Sequence, residues 1–416
     1  MKLNRITLVA GGVLLACTGL AQAEALFTEV SNRAQFANPG EQLRQVAADP
    51  ANARIGVVAV NAALLDPRTA SIDLALPGGI KLTARQSNFE VMESGNSVWT
   101  GRIELARLAP EAARGLTAID ARLDEIIAVR SGDTVTANIR VAGQLYRLLP
   151  VDQGAHVLVE VDQSKFQVDE DAAAYAEMSR NASVVDMDFG AYAPKAISTI
   201  RVLVAFGASA TSAIGNEQAA TDLAFTEANN ALAATNTDVR VQQAGAIRFF
   251  TQSETTNYST MLSRLTNGSD GFYDTIQGLR NSNTADIVAY VAPQSSTLCG
   301  QAAGIATSNA NAYFVISHSC LSGNYTFVHE AGHVVGTRHD NDPTTSPYPY
   351  GHGYVMSSIN RRTVMAVNNG PCPSCVRIGA FSSPNYTVSG VAIGTAATND
   401  NTRVWRTRGP TVAAFR

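Results

Sequence analysis

Short runs in which apolar and polar residues alternate occupy much of the first half of the chain. These runs are 55–60, 71–76, 97–105, 134–141, 146–149 and 156–161. Gly, Pro and Asp residues separate them. Alternation with a period of two places one face of a β-strand in a core and the other face in solvent. The pattern therefore predicts an antiparallel, β-rich domain.

The order of elements changes near residue 190. Residues 172–183 have the composition of a helix, and residues 186–194 have that of a linker. Apolar runs then predict strands at 197–206, 239–250, 286–291 and 313–316. Helical patterns lie between them at 217–234, 259–265 and 272–279. Such an order predicts a mixed α/β sheet in the second half.

Length and composition agree with two folded domains. The chain has 416 residues, of which 45% are hydrophobic, enough for a core in each half. Charged residues make up only 16%, and the net charge is −4. We therefore expect no nucleic-acid partner, because such a protein needs a clustered basic face. The second half contains no lysine after Lys195, so arginine supplies all of its fixed positive charge.

The N-terminus has the pattern of a secretion signal. Lys2 and Arg5 precede an uncharged apolar run, and the small-residue site Ala21-Gln22-Ala23 follows it. We expect a signal peptide at 1–23, a β-rich pro-domain at 24–190 and a catalytic domain at 191–416. The apolar run is shorter than the roughly 20 residues that span a bilayer, and no later run is long enough. The alternative is a lipoprotein anchored through Cys17.

Four cysteines remain after the signal, and an even number in an exported chain indicates disulfides. Three pairings are possible, and we favour Cys299–Cys320 with Cys372–Cys375. A zinc or redox role for the Cys372-Pro-Ser-Cys375 motif is the alternative. The zinc role lacks a second Cys-x-x-Cys motif, and the redox role lacks a thioredoxin-like βαβ context.

Residues 329–340 contain the clearest chemical signal. His329 and His333 are four residues apart, so a helix places both imidazoles on one face, within reach of one metal ion. Glu330 lies beside them, where it can deprotonate a metal-bound water. Gly336 allows the helix to end, and the returning chain supplies His339. Three nitrogen ligands with an open fourth position predict one catalytic Zn²⁺.

This motif resembles that of the metzincin metallopeptidases. Its last residue, Asp340, resembles the reprolysin branch, where this aspartate supports a methionine-containing turn under the zinc ligands. Met365 in Thr363-Val364-Met365-Ala366 fits that turn better than Met356 does. Val367 stands where some metzincins carry a tyrosine ligand, so no fifth ligand is expected. The resemblance implies a mixed, twisted sheet with an active-site helix.

A closer resemblance is to the bacterial peptidyl-Asp metalloendopeptidases. The similar segments are 299–302, 329–340, 350–354, 362–366, 381–385 and 403–416. Less specific segments at 143–150 and 154–158 resemble a pro-region. The resemblance implies a zymogen whose mature form hydrolyses proteins or peptides on the amino side of Asp, with Glu as a second candidate.

A substrate carboxylate bound in a pocket needs a cation, and Arg pairs with it bidentately. Since this half lacks lysine, the cation must be an arginine. Arg377, twelve residues after Met365, is the first candidate, followed by Arg361 and Arg362. We expect Arg338, inside the zinc motif, to point to solvent.

Latency cannot depend on a pro-region cysteine, because residues 24–298 contain none. An acidic zinc ligand, or an acidic pro-region in the cationic pocket, could replace it. Asp186 and Asp188 offer sites at which an Asp-directed enzyme could process itself.

Two other interpretations remain open. One is a metzincin with hydrophobic or broad specificity. The other is a non-enzymatic secreted protein with a zinc site, which would leave Glu330 unexplained. We expect a monomer whose substrate lies extended against an edge strand near residues 300–306.

Overall fold

The computed structural model describes residues 23–30, 40–103, 105, 117–170, 172–180, 182, 196–368 and 370–416. Cys17, Asp186, Asp188 and all but the last residue of the predicted signal peptide lie outside the described residues. The division of the chain at residues 190 and 191 therefore stays a prediction.

The described part of the first half is rich in strands. Its strands are β1 (Glu24–Ala25), β2 (Phe27–Glu29), β3 (Asn52–Val60), β4 (Ser71–Leu76), β5 (Ile80–Val91), β6 (Ser97–Ile103), β7 (Thr117–Ala118), β8 (Glu125–Ser131), β9 (Thr134–Val141), β10 (Gln144–Pro150) and β11 (His156–Val161). Its helices are α1 (Glu41–Ala48) and α2 (Ala172–Arg180).

Ten of these strands, all except β7, form one sheet in the order β1-β4-β5-β6-β8-β9-β10-β11-β3-β2. All pairings are antiparallel except that of β1 with β4. The two ends of the sheet meet at Leu26, which lies between β1 and β2. Its amide donates to Asp73 in β4, and its carbonyl accepts from Asn61 next to β3. The predicted β-rich region is present, and its sheet curls around a core.

Besides the short strands β1, β2 and β7, the alternation pattern missed two longer strands, β5 and β8, for different reasons. Strand β5 is mostly exposed, and a bulge between Gln86 and Asn88 interrupts its register. Strand β8 is a continuous apolar run because it is buried on both faces. Ile127 and Val129 on one face pack against a helix of the second half. Period-two alternation does not detect such strands.

The described part of the second half contains the remaining eleven strands and six helices. The strands are β12 (Ser198–Gly207), β13 (Val239–Gln243), β14 (Arg248–Phe250), β15 (Ile287–Ala292), β16 (Gly300–Ala302), β17 (Tyr313–Ser317), β18 (Val355–Met356), β19 (Arg361–Arg362), β20 (Val376–Arg377), β21 (Tyr386–Val388) and β22 (Val391–Ala392). The helices are α3 (Ala208–Ala213), α4 (Glu217–Ala234), α5 (Tyr258–Thr266), α6 (Thr275–Ser282), α7 (Thr326–Val335) and α8 (Asn401–Val412).

The principal sheet of this half is mixed, as predicted. Its order is β13-β12-β15-β17-β16, with β14 also beside β12. All pairings are parallel except that of β16, which runs antiparallel at one edge. Helices α4, α7 and α8 contribute to the core on one face, whereas α5 and α6 contribute to the core on the other. The predicted strand at 239–250 is two strands, separated by a turn in which Gly245 has a φ of 68°.

Both disulfides form with the favoured pairing. Cys299 bonds to Cys320, which ties the edge strand β16 to the loop before α7. Cys372 bonds to Cys375, two residues before Arg377. Among the described residues, no helix is both long and apolar enough to cross a membrane.

Helix α4 joins the two halves through buried polar contacts. Glu227 accepts hydrogen bonds of 2.9 Å from both Arg140 and Asn138. One turn earlier, Asp222 accepts from Ser94 and Asn96 at 2.7 Å. Burying a charge is costly unless it is paired, so these partners hold α4 against β8 and β9 in one position.

We predict that Glu227→Ala destabilises the protein by about 3–5 kcal/mol, because it leaves the buried Arg140 without its carboxylate partner. The urea midpoint of the purified protein measures the effect. The control is Arg68→Ala, which breaks an ion pair whose arginine side chain is 90% exposed. That change should cost about 1 kcal/mol or less. Equal midpoints for the two variants would contradict the assignment.

Candidate active site

Helix α7 is buried on every side and carries the first two histidines. It begins after Tyr325, whose φ is 59°, and ends at Gly336, whose φ is 125°. Residues rarely adopt the second of these angles unless they are glycine, so Gly336 lets the chain turn sharply there. The turn returns His339 to the same side as His329 and His333.

The three imidazoles converge through their Nε2 atoms. The Nε2–Nε2 distances are 3.1 Å for His329 with His339, 3.1 Å for His329 with His333, and 3.2 Å for His333 with His339. The Nδ1 atoms of His329 and His333 lie 2.9 Å from the carbonyls of Val364 and Thr337. A carbonyl only accepts, so each of these Nδ1 atoms carries the hydrogen, and each Nε2 presents a lone pair.

Lone pairs that face one another in a buried site repel unless a cation lies between them. A tetrahedral metal with bonds of roughly 2.0–2.1 Å has ligand atoms about 3.3 Å apart, close to the distances found here. Burial lowers the pKa of His333 to about 4, which favours the neutral ring that a metal needs. The donor set therefore fits a zinc ion. Among the described residues, His156, His318 and His352 lie outside this group.

Glu330 projects from α7 beside the three histidines. Its side chain is buried, and within the described residues neither carboxylate oxygen has a hydrogen-bond partner. Burial, reinforced by the nearby Glu170 and Asp169, raises its pKa well above the ordinary value. Glu330 has room because residue 300 is glycine. A Cβ at Gly300 would lie 2.4 Å from the Glu330 Oε1 atom.

Met365 lies beneath α7, and Met356 does not. A Cβ added to Gly332 would be 2.9 Å from the Met365 sulfur, so helix and methionine are in close contact. Met356 packs in a separate apolar cluster. The Oδ1 of Asp340 accepts from the Val367 amide at 3.0 Å, which joins the end of the histidine motif to the turn after Met365.

A fourth residue that the sequence did not single out completes the group. The carboxylate of Glu170, from the first half, lies 2.8 Å from the Nε2 of His339 and 3.1 Å from that of His333. The sequence analysis offered an acidic zinc ligand as one of two explanations of latency, but it named no residue for that role. The only sequence signal was the acidic run of residues 169–171 before the predicted helix.

Arg377 binds the neighbouring carboxylate, that of Asp169. The two side chains form a bidentate pair, in which the Nη1–Oδ1 distance is 2.9 Å. Arg377 also donates to the carbonyls of Asn324 and Ala366, at 3.0 and 3.1 Å. Burial raises the pKa of Asp169, but Arg377 more than offsets this, and the pKa falls to about 2. Arg377 thus holds a buried carboxylate next to the histidines.

The other candidate arginines have different surroundings. Arg362 is buried and donates to the carbonyls of Cys375 and Ala366. Burial and then repulsion from Arg377 lower its pKa to about 9. Arg361 is half-buried and donates to the Asn360 carbonyl. The expectation that Arg338 points to solvent is wrong. It is buried, and it donates to Asp342 at 2.6 Å.

Helix α2 covers the site beside the carboxylates of Asp169 and Glu170. The Tyr175 ring stacks on His339 with 4.1 Å between centroids, and its hydroxyl donates to Asp342 at 2.6 Å. One turn further, the Ser179 hydroxyl accepts from Arg338 at 2.8 Å. Arg338 is therefore buried by a helix that lies far away in sequence.

The edge strand β16 contacts the same part of the first half. The Cys299 amide donates to the Val168 carbonyl at 2.8 Å, and the Gly300 amide donates to the Asp169 carbonyl at 3.3 Å. Val168 pairs with Leu298 in a parallel bridge. An extended segment therefore occupies the edge on which we expected a substrate.

Comparison with known proteins gives three results. Residues 197–377 match the model of metallo-peptidase family M12, reprolysin type. Peptidyl-Asp metalloendopeptidases of Xanthomonas campestris pv. campestris and Stenotrophomonas maltophilia are each 37% identical to this chain and cover 98% of it. The alignments also cover 96% and 98% of those relatives. A solved chaperone–substrate complex has a TM-score of 0.43 at 19% identity, over 68% of this chain and 40% of that one, too low to define the topology.

Identity of this degree over nearly the whole length establishes the family, and it agrees with the buried Glu and three-His group. The activity predicted from the motif, and its zinc cofactor, are thereby confirmed. The chain is a zinc metalloendopeptidase that belongs to the peptidyl-Asp metalloendopeptidase family.

Proposed function

We propose that the mature enzyme hydrolyses peptide bonds on the amino side of Asp, and that Arg377 recognises that aspartate. The observation that supports this is the bidentate contact between Arg377 and the Asp169 carboxylate, one residue from the carboxylate on the histidine group. The names of the relatives point to the same substrate residue.

The pocket suits a short carboxylate. Arg377 is buried, and the Asn324 and Ala366 carbonyls fix its guanidinium, so its two donors point in one direction. A buried Arg pairs with an aspartate through two parallel hydrogen bonds, whereas an uncharged side chain would leave the guanidinium unpaired. A glutamate carboxylate lies one methylene further out, so we propose weaker cleavage before Glu.

His329, His333 and His339 would hold the zinc, with Asp340 and Met365 supporting them from below. When bound, zinc lowers the pKa of a water molecule and polarises the scissile carbonyl. Glu330 would accept the proton of the attacking water and pass it to the leaving amine. Gly300 admits the Glu330 side chain, and the amides of residues 299 and 300 would align an extended substrate.

We further propose that the chain is exported as a pro-enzyme. The signal-like residues 1–23 and the two disulfides support export into an oxidising compartment. The contacts of Asp169 and Glu170 with the site support latency. The mature enzyme would begin near residue 191 and act as a monomer.

Cleavage-site mapping tests the specificity. A denatured proteome digested with the mature enzyme should give new N-termini that begin with Asp. The Glu330→Ala variant should bind zinc but cleave about a thousandfold more slowly, because it lacks the proton acceptor. Cleavage with another preference would contradict the specificity for Asp but would still support the peptidase activity. Unchanged activity in the variant would contradict the role of Glu330.

Arg377→Ala should lower the preference for Asp over Asn after the scissile bond by about a hundredfold, because the buried charge pair with the substrate is lost. Paired peptides that differ only at this residue measure the ratio as kcat/KM, and metal analysis should show zinc retained. The matched control is Arg361→Ala, which removes an arginine that donates to the Asn360 carbonyl. If the ratio changes equally in both variants, Arg377 is not the specificity residue.

Gly300→Ala should lower kcat by about a hundredfold, because the added methyl group displaces the Glu330 carboxylate. Steady-state kinetics of the mature form measure the effect, and zinc content should stay the same. Gly278→Ala is the control, since a Cβ at that helical position meets no atom within 4 Å. A Gly300→Ala enzyme with normal kcat would show that Glu330 does not act from the observed position.

A further inference from the structure

We propose that the mature enzyme has a second binding site for an acidic side chain, in a groove between helix α5 and the edge strand β16. The site binds a carboxylate of a substrate residue that precedes the scissile bond. Polar side chains line this groove, here called the upstream groove: Ser259, Ser263, Thr266, Gln301 and Asn311. The proposal rests on the proposed maturation, which removes α2, and it adds a second substrate residue to the proposed specificity.

The upstream groove is large enough for a long side chain. A space of about 250 Å³ remains in it even with α2 in place. Among the described residues that line it, Glu177 of α2 carries the only charge, and Met178 of α2 and Leu262 are apolar. Once α2 has left, the remaining walls are uncharged and rich in hydroxyl and amide groups. Such walls bind a carboxylate through hydrogen bonds and offer no like charge that repels it.

A chain of hydrogen bonds in the groove ends on an acceptor that the first half supplies. The Gln301 side-chain nitrogen donates to the Ser259 hydroxyl oxygen at 3.0 Å, and Gln301 is only 1% exposed. The Ser259 hydroxyl in turn donates to the Glu177 carboxylate at 2.7 Å. The Gln301 side-chain oxygen is a poorer acceptor for this hydroxyl, because it lies 3.4 Å away. Without Glu177, the Ser259 hydroxyl therefore needs a new acceptor, and a carboxylate forms the strongest such bond.

The position of Ser259 in its helix also favours a negative partner. Helix α5 begins at Tyr258, so Ser259 lies in the first turn, and Asn257 caps this end by accepting from the Thr260 amide at 2.8 Å. The N-terminal end of a helix carries partial positive charge, which attracts anions. The groove thus combines a hydroxyl donor with an electric field that suits a carboxylate.

The place of the groove along β16 assigns it to substrate residues before the scissile bond. The strand begins near Arg377, since the Gly300 amide donates to the carbonyl of Asp169, whose side chain Arg377 binds. Glu330 lies against Gly300, and Gln301 follows one residue further along the strand. With the substrate aspartate at Arg377, the part of the substrate that extends past Glu330 towards Gln301 precedes the scissile bond.

Cleavage-site mapping of the mature enzyme on a denatured proteome tests the groove. At one of the three positions before the scissile bond, wild type should favour Glu over Gln about tenfold, because a hydrogen bond to a charged group is gained. Ser259→Ala should lose this preference. Ser263→Ala, an exposed serine one turn later in the same groove, is the matched control and should keep it. Equal profiles for wild type and Ser259→Ala, or an equal loss in Ser263→Ala, would overturn the proposal.

Paired peptides separate binding from chemistry. They carry Asp after the scissile bond and either Glu or Gln at the position that mapping selects. The ratio of their kcat/KM values should be about ten for wild type and about one for Ser259→Ala. The difference should lie in KM, because the groove binds a residue that does not react. A difference that lies in kcat alone would overturn the assignment of a binding site.

Charge reversal separates recognition from a structural effect. Ser259→Asp places a carboxylate in the groove, so this enzyme should disfavour Glu and favour Lys at the same position. A disturbance of α5 would instead lower the rates for all peptides alike. A Ser259→Asp enzyme that still favours Glu would contradict the proposed site.

The upstream groove and the proposed function fail separately. The preference for Asp over Asn after the scissile bond reports on Arg377, whereas the preference for Glu over Gln before it reports on Ser259. Loss of the first preference with the second retained would overturn the proposed function and keep the groove. The reverse result would overturn the groove alone.

Discussion

Three imidazole nitrogens that point at one another inside a buried core are the constraint on which the rest of this structure depends. Their mutual repulsion is relieved only by a cation, so every neighbouring element serves to hold the rings in place. The carbonyls of Val364 and Thr337 determine which nitrogen of two rings faces inward. Gly336 brings the third ring back, and Gly332 lets the Met365 sulfur approach the helix from below. These contacts orient the ligands before a metal binds.

The contact between the two halves includes several buried polar and charged pairs. Glu227 meets Arg140, Asp222 meets two side chains near β6, and Asp169 meets Arg377. Each pair places one charged or polar partner in each half of the chain. Such contacts contribute less to the free energy of folding than apolar packing does, but they fix the two halves in one relative position. A surface of this kind suits halves that must fit together in one position.

The sequence predicted those elements and residues whose structure depends on the local residue pattern. Helix 217–234 was predicted at its observed bounds, because its cap and composition are local. The histidine motif and the favoured disulfides were also predicted. Strand β8 was missed because an element of the other half buries its outer face. Arg338 was placed in solvent because its partner Ser179 is 159 residues away. Glu170 could not be chosen among many acids, since only the folded chain brings it to the histidines.

Covalent attachment has a consequence for the segment formed by residues 168–170 and helix α2, which lies on the histidine group, that its contacts alone do not show. In the uncut chain the segment binds its site intramolecularly, at an effective concentration on the order of millimolar for a short connection. Weak individual contacts then suffice to keep the cleft filled. If the proposed processing cuts the chain, the same contacts would have to compete at the actual concentration of the protein. Dilution would then empty the cleft without any change in the contacts themselves.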